Sequence, residues 1–134
     1  MFLLEITCLA AKPPDPVLTT FVKKFPTVNL KKINWWQENP QEFIADFVVN
    51  SSEYSVDISD KGLWIFTKKT IAFNQLPIAV QNTFMQKHER EIGMGMKIYE
   101  INHASGGIIY NISLTYGVVT FDFQYKPNGI EMKK

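Results

Sequence analysis

Two stretches of the chain share several side chains at the same spacing. The first, DPVLTTFVKKFP, runs from Asp15 to Pro26, and the second, NQLPIAVQNTFMQKHE, runs from Asn74 to Glu89. Four residues of the first stretch recur 63 positions later: Val17 as Val80, Thr20 as Thr83, Phe21 as Phe84 and Lys24 as Lys87. A recurring segment of this kind predicts a tandem duplication in which one short helix opens each copy.

The first stretch has the start, the apolar stripe and the end of a helix. Asp15 is predicted to cap the N-terminus, and Pro16 to occupy the first helical position. Apolar side chains then follow at three- and four-residue spacing: Val17, Leu18, Phe21, Val22 and Phe25. Pro26 ends the segment. The second stretch predicts a helix from Pro77 to His88, in which His88 stands at the position of Phe25.

Segments that alternate apolar and polar residues follow the first helix and predict strands. Four are expected, at Val28–Trp36, Phe43–Val49, Tyr54–Ile58 and Leu63–Thr67. Turn residues separate them, among them the tight turn at Asp60–Gly62. Because short turns join consecutive strands, the sheet is predicted to be an antiparallel meander.

The same order of elements is expected in the second half. A Gly-Met-Gly-Met insertion at Gly93–Met96 is predicted to shift the offset between the halves from 63 to 65. At an offset of 65 the second and third strands keep the same alternation, and Asp57 is matched with Asp122. Since a slip of one residue would invert every side chain, this agreement favours a duplication over chance. The short, charged end at Ile130–Lys134 is typical of an exposed sheet edge.

The predicted fold class is therefore α+β: two tandem repeats, each a helix packed on a four-stranded antiparallel sheet. The first repeat is assigned to residues 15–73 and the second to residues 74–134. Residues 1–14 are interpreted as an N-terminal arm or the remnant of a signal segment. That signal segment is atypical, because Glu5 interrupts its apolar run and no basic residue precedes it.

These features resemble the PepSY-like, beta-lactamase-inhibitor-like family of small exported bacterial proteins. The likeness lies in the proline-led helix with its FVKKFP ending, the aromatic strand INWW, the strand that ends in D-x-x-x-x-G, and the second copy of this order. It covers about residues 15–134. The resemblance implies paired helix-plus-four-strand repeats, a periplasmic or secreted location, and no known catalysis. The inhibitor label reflects structural similarity to a proteinaceous enzyme inhibitor.

Composition argues against several classes of function. With a net charge of +1, the chain has no global field that would attract nucleic acid or an anionic membrane. No apolar run approaches the roughly 20 residues needed to cross a bilayer, so no membrane insertion is expected. One cysteine, Cys8, excludes an internal disulfide framework and a cysteine-rich metal site.

Few residues have the spacing that catalysis or metal binding requires. His88 and His103 fall in different elements, His103 in the predicted hairpin loop Asn102–Gly107, and neither has a metal-ligand partner nearby in sequence. No common hydrolase motif is present. We therefore expect no enzyme activity, no metal and no cofactor. The alternative is an enzyme in which Asp57 and Asp122 face each other as general acid and base.

The sheet face that turns away from the helices is the predicted binding surface. Consecutive Trp35 and Trp36 point to opposite faces, so one of them joins this surface, and Trp64 is expected to add another large group. The predicted contact residues are Trp35, Trp36, Trp64, Asp46, Asp57, Asn111 and Asp122. A mixture of aromatic and short polar groups is typical of a protein-docking surface.

The predicted function is that of a non-catalytic exported binding protein with a protein partner. Inhibition or modulation of an extracytoplasmic enzyme through the exposed sheet face is the form that we expect. Two alternatives stay open. One is a carrier of a small ligand or peptide held between helix and sheet, and the other is a homodimeric structural module in which a second copy covers the face.

Overall fold

The computed structural model of the chain describes residues 11–91 and 95–132. It divides into two compact units, which we call the N-terminal unit (Met1–Thr67) and the C-terminal unit (Lys68–Lys134). Residues 1–10 of the predicted arm, which include Cys8, lie outside the described residues. Gly93 and Met94 of the predicted insertion also lie outside them.

Two helices and eight strands make up the described chain. The elements of the N-terminal unit are α1 (Asp15–Lys24), β1 (Asn34–Asn39), β2 (Glu42–Val49) and β3 (Ser52–Ser59), and β4 (Trp64–Ile71) crosses the boundary. The C-terminal unit continues with α2 (Ile78–His88), β5 (Met96–His103), β6 (Gly107–Tyr116), β7 (Val119–Tyr125) and β8 (Glu131–Met132). The strands form one sheet in chain order, β1 to β8. The predicted α+β class and its antiparallel sheet are confirmed.

Neither helix of the described chain has the length and apolar character needed to cross a bilayer.

In the N-terminal unit, α1 packs on one face of β1, β2 and β3. Val17 and Phe21 of the helix stripe are fully buried. The Phe21 ring meets Trp35 and Phe47 edge to face, with centroid distances of 5.4 and 5.3 Å, a geometry that aromatic rings favour. The sheet residues of this core are Trp35, Phe43, Ala45, Phe47, Val56 and Ile58. The core is thus built from the alternation that the sequence predicts.

The C-terminal unit has its own core under α2. Val80 and Phe84 of the helix are fully buried. The core residues of the sheet and its neighbouring loop are Ile71, Leu76, Ile98, Tyr110, Ile112, Leu114 and Tyr125. At the end of α2, the His88 ring stacks on Phe84 at 4.8 Å, and its Nδ1 lies 2.9 Å from Glu91 Oε1. The half-buried His88 ring therefore packs against the core residue Phe84, while Glu91 meets its polar edge.

Three local predictions are wrong. Asp15 does not cap α1: it is the first helical residue, and Pro14 precedes it without a side-chain capping bond. Asn29 starts a 3-10 turn by accepting a hydrogen bond from the Lys31 backbone at 3.0 Å, so β1 begins at residue 34 rather than 28. His103 is not in the hairpin loop, because it is the last residue of β5 and pairs with Gly107.

The predicted offset of 65 between the halves is also wrong. In each unit one row of core-facing positions crosses three strands: Trp35, Ala45 and Val56 in the N-terminal unit, and Ile98, Ile112 and Phe123 in the C-terminal unit. Matched positions are therefore 63 apart in the helix and first strand, and 67 apart in the next two strands. The four additional residues enter the hairpin between β5 and β6, not the segment before β5.

This register separates the two aspartates that the sequence had paired. Asp57 lies opposite Ile44 on β2, and the equivalent position opposite Asn111 on β6 is Gln124. Asp122 lies opposite Ser113, one row further along the sheet. Asp57 and Asp122 are therefore not equivalent residues of the two units.

Candidate protein-binding face

Each unit has a sheet face turned away from its helix-side core, and we call it the open face of that unit. In the N-terminal unit it comprises Trp36, Glu42, Ile44, Asp46, Val48, Glu53, Ser55, Asp57 and Ser59. In the C-terminal unit it comprises Lys97, Tyr99, Ile109, Asn111, Ser113, Thr115, Thr120, Asp122 and Gln124. These residues alternate along their strands with the core residues, which places them on the opposite side.

Trp36 is held in place on the open face of the N-terminal unit. Its Nε1–H donates a hydrogen bond to Asp46 Oδ2 at 2.8 Å. The Ser55 hydroxyl, on the next strand, donates to Asp46 Oδ1. Because both carboxylate oxygens are engaged, the half-buried indole is fixed in one orientation. A pre-ordered aromatic ring of this kind contributes strongly to protein binding, since little side-chain entropy is lost on contact.

Asp57 is the most unusual polar residue of this face. The residue is only 4% exposed, and its Oδ1 atom is buried without a hydrogen-bond partner. Burial raises the pKa of Asp57 from 3.8 to about 7, with further contributions from a hydrogen bond with Glu42, from the charge of Glu42 and from that of Glu38. Such a carboxyl is partly protonated near neutral pH. The fold therefore holds an acid where an ionised form is disfavoured.

The open face of the C-terminal unit has a satisfied polar network. Asp122 Oδ1 accepts the Ser113 hydroxyl and the side-chain amide of Asn111, the latter at 3.2 Å. The Asn111 amide also donates to Ser113 Oγ at 3.1 Å. The register places Lys97 opposite Ser113. Beside this network, the Lys68 ammonium lies 4.6 Å from the centre of the Tyr99 ring.

The structure places two of the three predicted tryptophans away from the open face. Trp35 is 9% exposed and belongs to the helix-side core beside Phe21. Trp64 packs against the same core, and the Lys24 ammonium lies 3.7 Å from its ring centre. Trp36 is the one that reaches the open face.

The predicted polar residues divide between the units. Asp46 and Asp57 share the open face of the N-terminal unit with Trp36. Asn111 and Asp122 meet each other on the open face of the C-terminal unit. The structure therefore groups the predicted residues into two local clusters, each with its own hydrogen bonds.

Sequence reasoning missed the other acids of the N-terminal open face. Beyond the effect of burial, the neighbouring Glu42 raises the pKa of Asp57, and the charge of Glu38 acts in the same direction. A signal was available: residues 33–60 contain six carboxylates and no lysine, arginine or histidine. Overall net charge conceals this segregation because basic residues lie elsewhere in the chain.

Within residues 11–91 and 95–132, no three metal-ligating side chains are grouped as a metal site requires. A surface cleft of about 530 Å³ lies in the C-terminal unit. Its lining is Gly106, Ile108, Ile109, Lys126, Pro127, Asn128 and Met132, so it opens at loop ends rather than between α2 and the sheet.

No family model matches the chain, and no curated protein matches it. Solved structures do match. A DUF2874 family protein from Bacteroides ovatus ATCC 8483 has 23% identity and a TM-score of 0.78, covering 92% of this chain and 86% of that one. A BLIP-like protein from Bacteroides fragilis NCTC 9343 has 17% identity and a TM-score of 0.76, covering 92% and 85%. A "putative periplasmic" protein from Bacteroides eggerthii DSM 20697 has 20% identity and a TM-score of 0.79, covering 92% and 88%.

The chain therefore has a BLIP-like fold. The beta-lactamase-inhibitor-like part of the sequence resemblance is thus confirmed at the level of the fold, and the two tandem repeats stay a prediction. The PepSY-like part stays a prediction.

Proposed function

We propose that this chain is a non-catalytic binding protein that docks a protein partner on the open face of its N-terminal unit. The observation that carries the proposal is the half-buried Trp36 indole, locked by Asp46 on a sheet face that the helix does not cover. A fixed aromatic ring beside polar groups is the composition of a binding hot spot. The BLIP-like description of one similar solved structure supports a binding role.

Export and enzyme modulation complete the proposal. The Bacteroides eggerthii neighbour is described as periplasmic, which supports a periplasmic or secreted location for this chain. The BLIP-like description of another neighbour supports an extracytoplasmic enzyme as the partner and inhibition or modulation as the outcome.

We also infer that the two units arose by duplication. Gly62 and Gly129 have φ values of 91° and 90°. Each lies in close contact with the backbone of the first turn of a helix, Gly62 with α1 and Gly129 with α2. A Cβ at Gly62 would lie 2.9 Å from the Pro16 carbonyl oxygen, and one at Gly129 would lie 2.6 Å from that of Ala79. The glycines are 67 residues apart and their contacts 63 apart, the same two offsets that relate the strand registers. The shared turn-to-helix contact supports a common ancestor for both units.

Site-specific photo-crosslinking tests the docking proposal. Val48 is 65% exposed on the open face of the N-terminal unit, and Val22 is 41% exposed on α1, on the helix side. Each is replaced in turn by a photoreactive benzoylphenylalanine, and the protein is irradiated in periplasmic extract of the source bacterium. We expect a discrete protein adduct from position 48 and none from the control at position 22.

A second variant checks that the adduct depends on the proposed anchor. Combining the Val48 probe with Trp36→Ala is expected to reduce the adduct about tenfold, the effect typical of a hot-spot residue. Circular dichroism confirms that this variant is folded. Equal adducts from positions 48 and 22, or an adduct unchanged by Trp36→Ala, would overturn the proposed docking face.

A further inference from the structure

Charge is segregated on the N-terminal unit. Strands β1–β3, residues 34–59, contain five carboxylates and no basic side chain, and the structure describes all of these residues. The pairing register places Glu42, Asp46, Glu53 and Asp57 on the open face. The lysines of α1 and of the turn that follows it lie outside these strands: Lys23, Lys24, Lys31 and Lys32. Within β1–β3 the open face therefore carries acidic side chains and no basic ones.

Asp57 leaves one buried acceptor atom of this acidic cluster, its Oδ1, without a hydrogen-bond donor. Buried polar atoms in folded proteins are nearly always hydrogen-bonded, and a buried unpaired carboxylate oxygen is costly. Asp57 is 96% buried, yet its Oδ1 has no partner, and its side chain shares the open face with Glu42. Burial raises the pKa of Asp57, and the hydrogen bond with Glu42 and the charge of Glu42 raise it further, so the ionised form of Asp57 is disfavoured here. A cation that approached both carboxyls would reverse this effect.

We propose that the open face of the N-terminal unit receives a lysine or arginine side chain of a protein partner, held by Asp57 and Glu42 and flanked by the Trp36 indole. This inference rests on the proposed docking function and adds the chemistry of the partner. An arginine guanidinium has the donors that two carboxyls accept, and it stacks on aromatic faces. Trp36 and Asp57 both lie opposite Ile44, one on each neighbouring strand, so the ring and the acid flank one position.

An organic cation fits this face better than a metal ion, because no three metal-ligating side chains are grouped in the part of the chain that the structure describes. The chain also carries a possible competing occupant. A second copy could present Lys23, Lys24, Lys31 and Lys32 to the same acids. The test therefore measures self-association as well as cation binding.

The probe is a synthetic hexa-arginine peptide, with hexa-glutamate of the same length as the negative control. Binding to the whole chain is measured by isothermal titration calorimetry and by tryptophan fluorescence at low salt and at about physiological salt. We expect binding of hexa-arginine but not of hexa-glutamate, weakened by salt because the contact is electrostatic. Glu42→Gln and Asp57→Asn are each expected to weaken binding about tenfold, which corresponds to loss of one charge-assisted contact.

Asp122→Asn is the matched control. It removes a carboxylate from the other open face, where the acid already accepts two hydrogen bonds, and it should leave hexa-arginine binding within about twofold. Circular dichroism and the thermal melting of every variant verify folding. If Asp57→Asn alters the fold, Glu42→Gln alone decides the result, since Glu42 is only half-buried.

Three results would overturn the inference. They are no binding of hexa-arginine, binding that Glu42→Gln and Asp122→Asn affect equally, and a dimer in light scattering that Lys31→Glu and Lys32→Glu dissociate. A partner adduct at position 48 together with any of these results would refute the cationic contact and keep the docking function. Loss of both the adduct and peptide binding would refute both.

Discussion

The open faces of the two units share a backbone frame and differ in chemistry. One row of side chains crosses β1–β3 as Trp36, Ile44 and Asp57, and the matching row crosses β5–β7 as Tyr99, Asn111 and Gln124. In the next row each unit holds one carboxylate that accepts a serine hydroxyl from the adjacent strand, Asp46 from Ser55 and Asp122 from Ser113. The N-terminal unit buries an acid where the C-terminal unit has a neutral amide. The matching position of the C-terminal unit thus shows that an acid is not needed at this place in the sheet.

The largest expected effect comes from converting the N-terminal row to the neutral chemistry of its counterpart. Asp57→Asn should raise the free energy of unfolding by on the order of 3 kcal/mol at about pH 8, because an amide has no ionised form to bury. The folded state holds the proton of Asp57 more tightly than the unfolded state, since the pKa rises from 3.8 to about 7. The stability that protonated Asp57 gives to the wild-type chain is therefore fully present below about pH 4 and is lost as the pH rises through about 7. Urea unfolding at about pH 4 and pH 8 measures it.

The corresponding control is Asp122→Asn in the C-terminal unit. Asp122 is exposed and already accepts two hydrogen bonds, so the change should alter the free energy of unfolding by less than about 1 kcal/mol at either pH. If the effect of Asp57→Asn were the same at both pH values, the ionisation of Asp57 would not distinguish the two faces.

A smaller effect is expected from exchanging Phe25, which follows the last residue of α1, and His88, the last residue of α2. Phe25 packs against Phe21 at 5.2 Å and Phe47 at 5.3 Å, whereas its counterpart His88 uses its ring nitrogen to meet Glu91. Phe25→His should cost about 2 kcal/mol, because no equivalent acid meets the new imidazole. His88→Phe should change stability by less than about 1 kcal/mol, since ring stacking is kept and a partly exposed hydrogen bond contributes little. Equal losses in thermal or urea unfolding would show that the two helix ends are interchangeable after all.

The smallest expected effect lies in the C-terminal core. Tyr125 is fully buried, and its hydroxyl has no hydrogen-bond partner, whereas the matching residue of the N-terminal unit is Ile58. Burial, followed by the charge of Glu131, raises the pKa of Tyr125 to about 12, so the hydroxyl stays protonated. Tyr125→Phe should stabilise the chain by about 1 kcal/mol by removing an unsatisfied polar atom. Tyr110→Phe, which removes a hydroxyl at the core edge, should give no such gain in urea unfolding.

Sequence alternation predicted the faces of the β2, β3, β6 and β7 residues correctly but did not predict their correspondence between the two units. The error between the assumed offset of 65 and the observed offsets of 63 and 67 is two residues in each direction. Because side chains on a strand repeat every two residues, an even error leaves each residue on its proper face and shifts only its cross-strand neighbours. Pairing Asp57 with Asp122 was the consequence. The sequence did not show that the β5–β6 hairpin is four residues longer than its counterpart, because the composition of a loop does not define where strand pairing stops.

The sequence by itself determined the two helices, the alternation that builds both cores, and the acidic run from 33 to 60. Those features depend on local spacing, which the chain carries in any conformation. Only the tertiary structure decided that Trp36 rather than Trp35 reaches the open face, and that Asp57 is buried without a donor for its Oδ1. Both outcomes depend on strand register and on neighbours distant in the sequence, because burial and hydrogen bonding are set by the residues that strand pairing brings alongside.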